Sequence, residues 1–163
     1  MLNVTEKAKT PQMERHLDAV EGYLFLRMPR EALRELNEIP PERHDDLAVL
    51  RSRVRTLLHL QRWKPALSLA VRGLRLHEND NELMVQRAFA LHKLEKGPEA
   101  VQVILDAPEW IRRSGILHYN LACYEAQLGD LRTARQCIRV AFEMNSAFKK
   151  SARRDPDLQR LWN

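Results

Sequence analysis

Residues 118–137, HYNLACYEAQLGDLRTARQC, hold a histidine, two tyrosines and both cysteines of the chain. Imidazole and thiolate are zinc ligands, and a thiolate beside an imidazole is the usual form of a cysteine nucleophile. The spacing argues against both. His118 and Cys123 lie five residues apart, whereas helical neighbours lie at three or four. Cys137 falls on the following helix, so the three groups sit on different surfaces and cannot supply the four ligands of a structural zinc site. The expected role of both cysteines is that of a small, half-buried hydrophobe.

Two other polar clusters, ERHDD (42–46) and HENDNE (77–82), fall at expected helix starts. There, acids and amides satisfy exposed N–H groups, with Asp46 and Asp80 as N-caps that also suit the helix dipole. Neither cluster has calcium-loop spacing. No nucleotide loop, zinc-protease motif or nucleophile elbow is present. The reading is therefore of a chain that is not an enzyme, with no catalytic residue, bound metal or cofactor.

The 163 residues suffice for one domain with a core, and their composition is helix-leaning, with 44% hydrophobic, 30% charged and five glycines. No apolar run approaches a membrane span, and MLNVTEKAKTPQM lacks the apolar segment of a secretory signal. With two cysteines, a disulfide scaffold is not expected and a cytoplasmic location is the default. The net charge of +5 is local. From Leu47 to His77 there is no acid, and Arg51, Arg53, Arg55, Arg62, Lys64, Arg72 and Arg75 form a basic patch.

These clusters must be positioned by a repeat. Ala32, Ala66, Ala100 and Ala134 recur every 34 residues, as do Leu26, Leu60, Leu94 and Leu128. Apolar character recurs four residues after each Ala, at Leu36, Ala70, Ile104 and Ile138. The spacings mark two helices per unit, with Pro29, Pro65, Gly97-Pro98 and Gly129-Asp130 at the turn between them. The pattern predicts helices near 13–27, 30–39, 45–61, 64–77, 81–95, 98–107, 114–128 and 131–145, then a short helical cap from about 147 to 162. Pro40 and Pro108 shorten the second helix of copies one and three.

The 34-residue period, the helix–turn–helix unit and the small Ala resemble the tetratricopeptide repeat. The fourth copy is the best match, with Leu121, Ala122, Gly129, Ala134 and Ala141 where that motif wants Leu, small, Gly, Ala and Ala. The ending ARRDPDLQRLW also resembles the tail of small bacterial proteins of this type. In other copies the pattern is degenerate, as at Val20 and Val54, which replace the small residue of the first helix. The resemblance implies an all-α fold, a right-handed α-α superhelix of about four helix pairs plus a short C-terminal capping helix. The implied organisation is a flexible 1–12, repeats at 13–46, 47–80, 81–114 and 115–146, and a cap at 147–163. Phe148, Leu158, Leu161 and Trp162 are expected to cover the last pair, with Lys149, Lys150, Arg153 and Arg154 keeping the cap soluble.

The resemblance also implies a concave groove lined by the first helix of each pair. The columns that would line it contain Arg51, Arg55 and His59 in copy two, Val85, Phe89 and Lys93 in copy three, and Tyr119, Cys123 and Gln127 in copy four. Gln86 and Asn120 flank them. A basic rung beside an aromatic one suits a peptide with acidic and apolar side chains. Two readings stay open: the arginines are a binding rung or a solvated face, and Phe89 and Tyr119 line the groove or pack between repeats. Arg53, Arg72 and Arg75 are expected in solvent. The C-terminal carboxylate clamp of some family members is incomplete here, because Gln86, Ile116 and Asn120 stand where further charged or amide groups belong. The expected function is a non-enzymatic protein–protein interaction module, adaptor or chaperone-like, with a protein or peptide partner. The alternative is a helical-repeat nucleic-acid binder using the basic patch. Against it, basic residues do not recur at one column in every copy.

Overall fold

The 34-residue period is written into the backbone as well as the side chains. The computed structural model describes residues 10–162 and contains, in chain order, helices α1 Pro11–Phe25, α2 Pro29–Asn37, α3 Leu47–His59, α4 Trp63–Leu76, α5 Asn81–Lys93, α6 Gly97–Leu105, α7 Glu109–Arg112, α8 Gly115–Leu128, α9 Leu131–Met144 and α10 Phe148–Ala152. Short 3-10 turns span Pro41–Arg43 and Pro156–Leu161. No strand occurs among the described residues, and none of their helices is long and apolar enough to cross a membrane.

Each repeating Leu closes a first helix, and the residue after it turns left-handed. Arg27, Gln61, Glu95 and Gly129 have φ of 59°, 57°, 61° and 94°. In three copies the turn is closed by a bond from the second residue after the Leu back to the helix: Met28 N–H to Tyr23 O, Arg62 N–H to Leu57 O and Lys96 N–H to Leu91 O, at 2.8, 2.9 and 3.0 Å. This is the six-to-one closure of a Schellman cap, which reverses the chain within two residues. The second helices then begin at residues 29, 63, 97 and 131. The amide of the repeating Ala makes an opening bond of each, to Met28 O, Arg62 O, Lys96 O and Asp130 O. All four of these alanines are completely buried. A larger side chain there would hold the paired helices apart, so the small residue is a condition of the pairing.

The chain divides into two compact units, one ending at Gln86 and one starting at Arg87. In the first, Thr10 accepts a hydrogen bond from Met13 N–H and Pro11 opens α1. The stripe Met13, Leu17, Val20 and Leu24 packs with Ala32, Leu36, Ile39 and Val49. A second cluster joins Val54, Ala66, Ala70 and Leu83. Gly73 lets Leu83 approach α4, since a Cβ there would lie 2.8 Å from Leu83 Cδ1. In the second unit, Ile104, Ile111, Leu117, Tyr124, Ile138, Leu158 and Leu161 are buried around α8.

The observed helices follow the expected ones to within one to two residues at most ends. The exceptions have physical causes. Thr10 and Pro11 start α1 inside the segment expected to be flexible, whose residues 1–9 lie outside the described ones. Pro40 and Pro108 end their helices, but each is followed by a single helical turn, Pro41–Arg43 and α7. The expected cap comes in two pieces. Pro156 pushes Asp155 to an extended conformation (ψ 117°) and breaks the helix between α10 and the terminal 3-10 turn.

Left-handed residues that are not glycine carry a conformational penalty of roughly 1 kcal/mol. The variant Gln61→Gly should therefore raise the unfolding free energy by about 0.5–1 kcal/mol, once the entropy glycine adds to the unfolded chain is counted. Urea unfolding followed by circular dichroism measures this, and a loss of stability would show that the Gln61 side chain has a structural role of its own.

Candidate functional site

The candidate binding residues fall on the first helices of the pairs, and each unit holds its own set. In the first unit the four-residue steps along α3 bring Arg51, Arg55 and His59 onto one face. Arg51 is engaged: its Nε donates to both carboxylate oxygens of Asp80 at 3.1 Å and its Nη2 donates to the same group. Glu82 Oε2 lies 3.6 Å from Nε. Asp80 is only 8% exposed and also caps α5, accepting from Leu83 N–H at 2.9 Å. Gln86 Nε2 donates to Arg51 O at 3.2 Å and to Glu82 Oε1 at 3.0 Å, and its side chain is buried. Arg55 pairs with Glu21 nearer the surface. His59 is exposed and Val85 half-buried.

Two further residues of the basic patch, Arg53 and Arg72, are also partnered. Arg53 is not solvated as expected. It donates to Leu36 O at 2.6 Å and Asn37 Oδ1 at 3.0 Å, closing the end of α2, and burial lowers its pKa. Arg72 pairs with Asp45 at 2.7 Å on the surface. Asp80 caps α5 as expected, whereas Asp46, at the start of α3, makes no side-chain cap bond and binds Arg43 at 2.7 Å instead.

In the second unit the same columns are occupied by the end of the chain. Tyr119 Oη donates to Asp155 Oδ2 at 2.8 Å, and Cys123 Sγ lies 3.7 Å from the same oxygen. His92 Nε2 is 3.1 Å and Lys93 Nζ 3.5 Å from Asp157 Oδ2. Gln127 Nε2 donates to Asp157 O at 3.3 Å, and Arg160 to Ala126 O at 3.4 Å. Asp155 also binds Asp157 N–H at 3.0 Å, which fixes the two carboxylates relative to each other. Leu158 and Leu161 are buried beneath this polar layer. The Tyr119 ring meets Phe148 at 5.2 Å, the His92 ring stacks on Tyr124 at 4.6 Å, and Lys93 Nζ sits 5.3 Å from the Phe89 ring centre. Asn120 and Phe89 are half-buried.

Two expectations change here. Tyr119 and Cys123 are not open groove residues; both are over nine-tenths buried beneath the chain's own tail. Of the four expected covering residues, Leu158, Leu161 and Phe148 do cover the last pair, but Trp162 stays 46% exposed. Sequence reasoning missed His92, Asp155 and Asp157. The signal available was RRDPDLQR, where two acids interrupt a basic run and face donor columns 32 and more residues earlier.

The environment turns the thiols away from chemistry. Burial, then the charges of Asp155 and Asp157, push the Cys123 thiol well above its usual range. Burial, then Glu125 and Asp130, push Cys137 up to about 11. Burial and the hydrogen bond to Asp155 raise Tyr119. All three are neutral near pH 7, and a nucleophile needs the opposite shift. Both cysteines are free thiols, and no group of three or more His, Cys, Asp or Glu that could hold a metal occurs among the described residues.

No protein-family model matches the chain, and no curated protein matches it. Solved structures do. MamA (residues 41 to the end) from Desulfovibrio magneticus RS-1 superposes with a TM-score of 0.69 at 18% identity, covering 85% of this chain and 78% of that one. MamA MSR-1 C2 does so with a TM-score of 0.61 at 18% identity, covering 83% and 76%. MamA is a tetratricopeptide-repeat protein, and the likeness establishes that all-α fold here.

Truncating Arg51 leaves the buried Asp80 without its charged partner, so Arg51→Ala should cost about 2–3 kcal/mol, whereas Arg55→Ala, at an exposed pair, should cost under about 1 kcal/mol. Denaturant midpoints of the two variants check this, and equal costs would refute it. Alkylation of Cys137 should rise with pH until about 11. At pH 8 it should run roughly a hundredfold slower than that of a free thiol, because the thiolate fraction is smaller by that factor. Mass spectrometry of the pH series reads this, and a plateau near pH 9 would contradict it.

Proposed function

We propose that the protein is a non-enzymatic protein–protein interaction module whose first-helix faces take a segment bearing acidic and apolar side chains. One observation carries the reading. Across both units several donors on these faces meet carboxylates: Arg51 meets Asp80 and Glu82, Arg55 meets Glu21, His92 and Lys93 meet Asp157, and Tyr119 and Cys123 meet Asp155. In the second unit those carboxylates, Asp155 and Asp157, arrive on a short 3-10 segment together with two buried leucines. That is the chemistry of a bound acidic, apolar peptide, realised within one chain. The tetratricopeptide-type fold supports the same class, since such scaffolds serve to present helix faces to protein segments. The raised thiols support a binding role for this face over thiol chemistry.

The pairing weighs against the nucleic-acid alternative. Arg51, Arg55 and Arg72 are paired with carboxylates and Arg53 with backbone and amide oxygens, so these cations are less free to replace the counterions of a phosphate backbone.

Fluorescence anisotropy with a labelled 12-residue peptide of alternating Asp and Leu tests the reading. The full chain should bind it, and the Asn-for-Asp version should bind at least tenfold more weakly. Lys93→Glu should weaken the acidic peptide by a similar factor. Equal affinity for the two peptides, or tighter binding of an RNA oligomer with a steep salt slope, would overturn the proposal.

A further inference from the structure

We infer that residues 155–161 are a built-in ligand of the second unit, and that the external segment this face accepts has the same pattern: two carboxylates two positions apart, a leucine directly after the second, and another leucine three residues on. This deepens, and rests on, the interaction-module reading above.

The attachment depends on side chains. Asp155 is held by Tyr119 Oη at 2.8 Å and by the Cys123 thiol, and Asp157 by His92 at 3.1 Å and Lys93 at 3.5 Å. Leu158 and Leu161 are buried on the same side of the turn. Few backbone bonds tie the segment to α8, the contacts being Gln127 to Asp157 O at 3.3 Å and Arg160 to Ala126 O at 3.4 Å. An external peptide of this pattern can reproduce every one of these contacts except that from Arg160, which is the segment's own.

The segment is also placed to leave. It is a six-residue 3-10 turn joined to α10 through the exposed residues Arg153 and Arg154. Asp155 is extended and precedes Pro156, so no helix runs across the junction. Asp157 and Lys93 keep about a quarter and a third of their side-chain surface in water, which makes their ion pair one that solvent competes for. Segments held mainly by side-chain contacts, with few main-chain anchors, open ahead of the rest of a fold. When this one opens, it uncovers Tyr119, Cys123 and the His92–Tyr124 stack. Bare donors and apolar surface favour renewed cover, so tail and external segment compete for one face.

Cys123 reports the state of that face. In a full-length Cys137→Ser background, the double variant Asp155→Ala/Asp157→Ala should be alkylated at Cys123 at least tenfold faster than its parent. A labelled peptide RRDPDLQRLW should bind this variant at least tenfold more tightly than the parent, should bind at least tenfold more weakly when its two Asp are Asn, and should restore slow alkylation. Unchanged alkylation, or equal peptide affinity for variant and parent, overturns the built-in ligand. If the variant loses helicity, hydrogen exchange of the unaltered chain decides: the amides of Leu158 and Trp162 should exchange well before those of α8, and exchange in step with α8 overturns the inference. The two readings fail separately. Equal binding of the acidic peptide to parent and variant removes the masking and leaves the module. An uncovered Cys123 with no binding of any acidic peptide removes both.

Discussion

The structure depends on how closely two helices can approach at one alanine. Ala32, Ala66, Ala100 and Ala134 have no solvent-accessible surface, and their amides make opening bonds of the second helices. For the second helix to start there, the chain must reverse within two residues of the repeating leucine. That requires a left-handed residue at 27, 61, 95 and 129. Only the last is the glycine that adopts this conformation freely. The other three, Arg, Gln and Glu, hold it because six-to-one backbone bonds and the buried alanine interface outweigh the local penalty. Everything that follows, including which side chains the first helices present, is set by this turn.

A second constraint acts on the faces so presented. Guanidinium, imidazole, ammonium and phenol groups placed at the edge of a core lose hydration and need acceptors. In the first unit the acceptors come from neighbouring helices: Asp80, Glu82 and Glu21. Asp80 serves twice, accepting from Arg51 and capping α5, which ties the polar pairing to the start of a helix. In the second unit the acceptors come from a segment that follows the last helix pair. The physical need is the same in both units, but the source of the carboxylates differs. In the first, the partner is part of the scaffold. In the second, it is a short 3-10 segment that follows the last helix pair and buries Leu158 and Leu161.

This difference bears on what the protein does. On the proposed reading, the face selects acidic segments by the same energetics that hold its internal partner. The buried leucines add an apolar requirement, so charge alone does not satisfy it. The thiol and phenol at the centre of this face are kept protonated by burial and by the neighbouring aspartates, and in that state they donate hydrogen bonds. The stretch that draws attention in the sequence for its cysteine and histidine therefore keeps its thiols neutral, the opposite of the shift a nucleophile needs.

The sequence by itself determined the architecture. A period of 34 in Leu and Ala, with breakers at each turn, is enough to locate the helix pairs, because both columns report local events: a helix end and a close contact one helix later. The helix edges, the burial of the alanine column and the capping role of Asp80 were legible for the same reason. The partners of the first-helix residues were not. Arg51 and Arg55 read alike along α3, yet one is bound to a buried cap and the other to a surface glutamate. Arg53 looked solvated and instead closes α2. Tyr119 read equally as a groove or a packing residue and Cys123 as a half-buried thiol, and both are covered by Asp155, whose contact with them spans more than thirty residues. Periodicity records what a residue faces within its own helix pair. Which distant carboxylate comes to meet it depends on where Pro156 breaks the last helix and on where the tail then packs, and only the tertiary structure decided that.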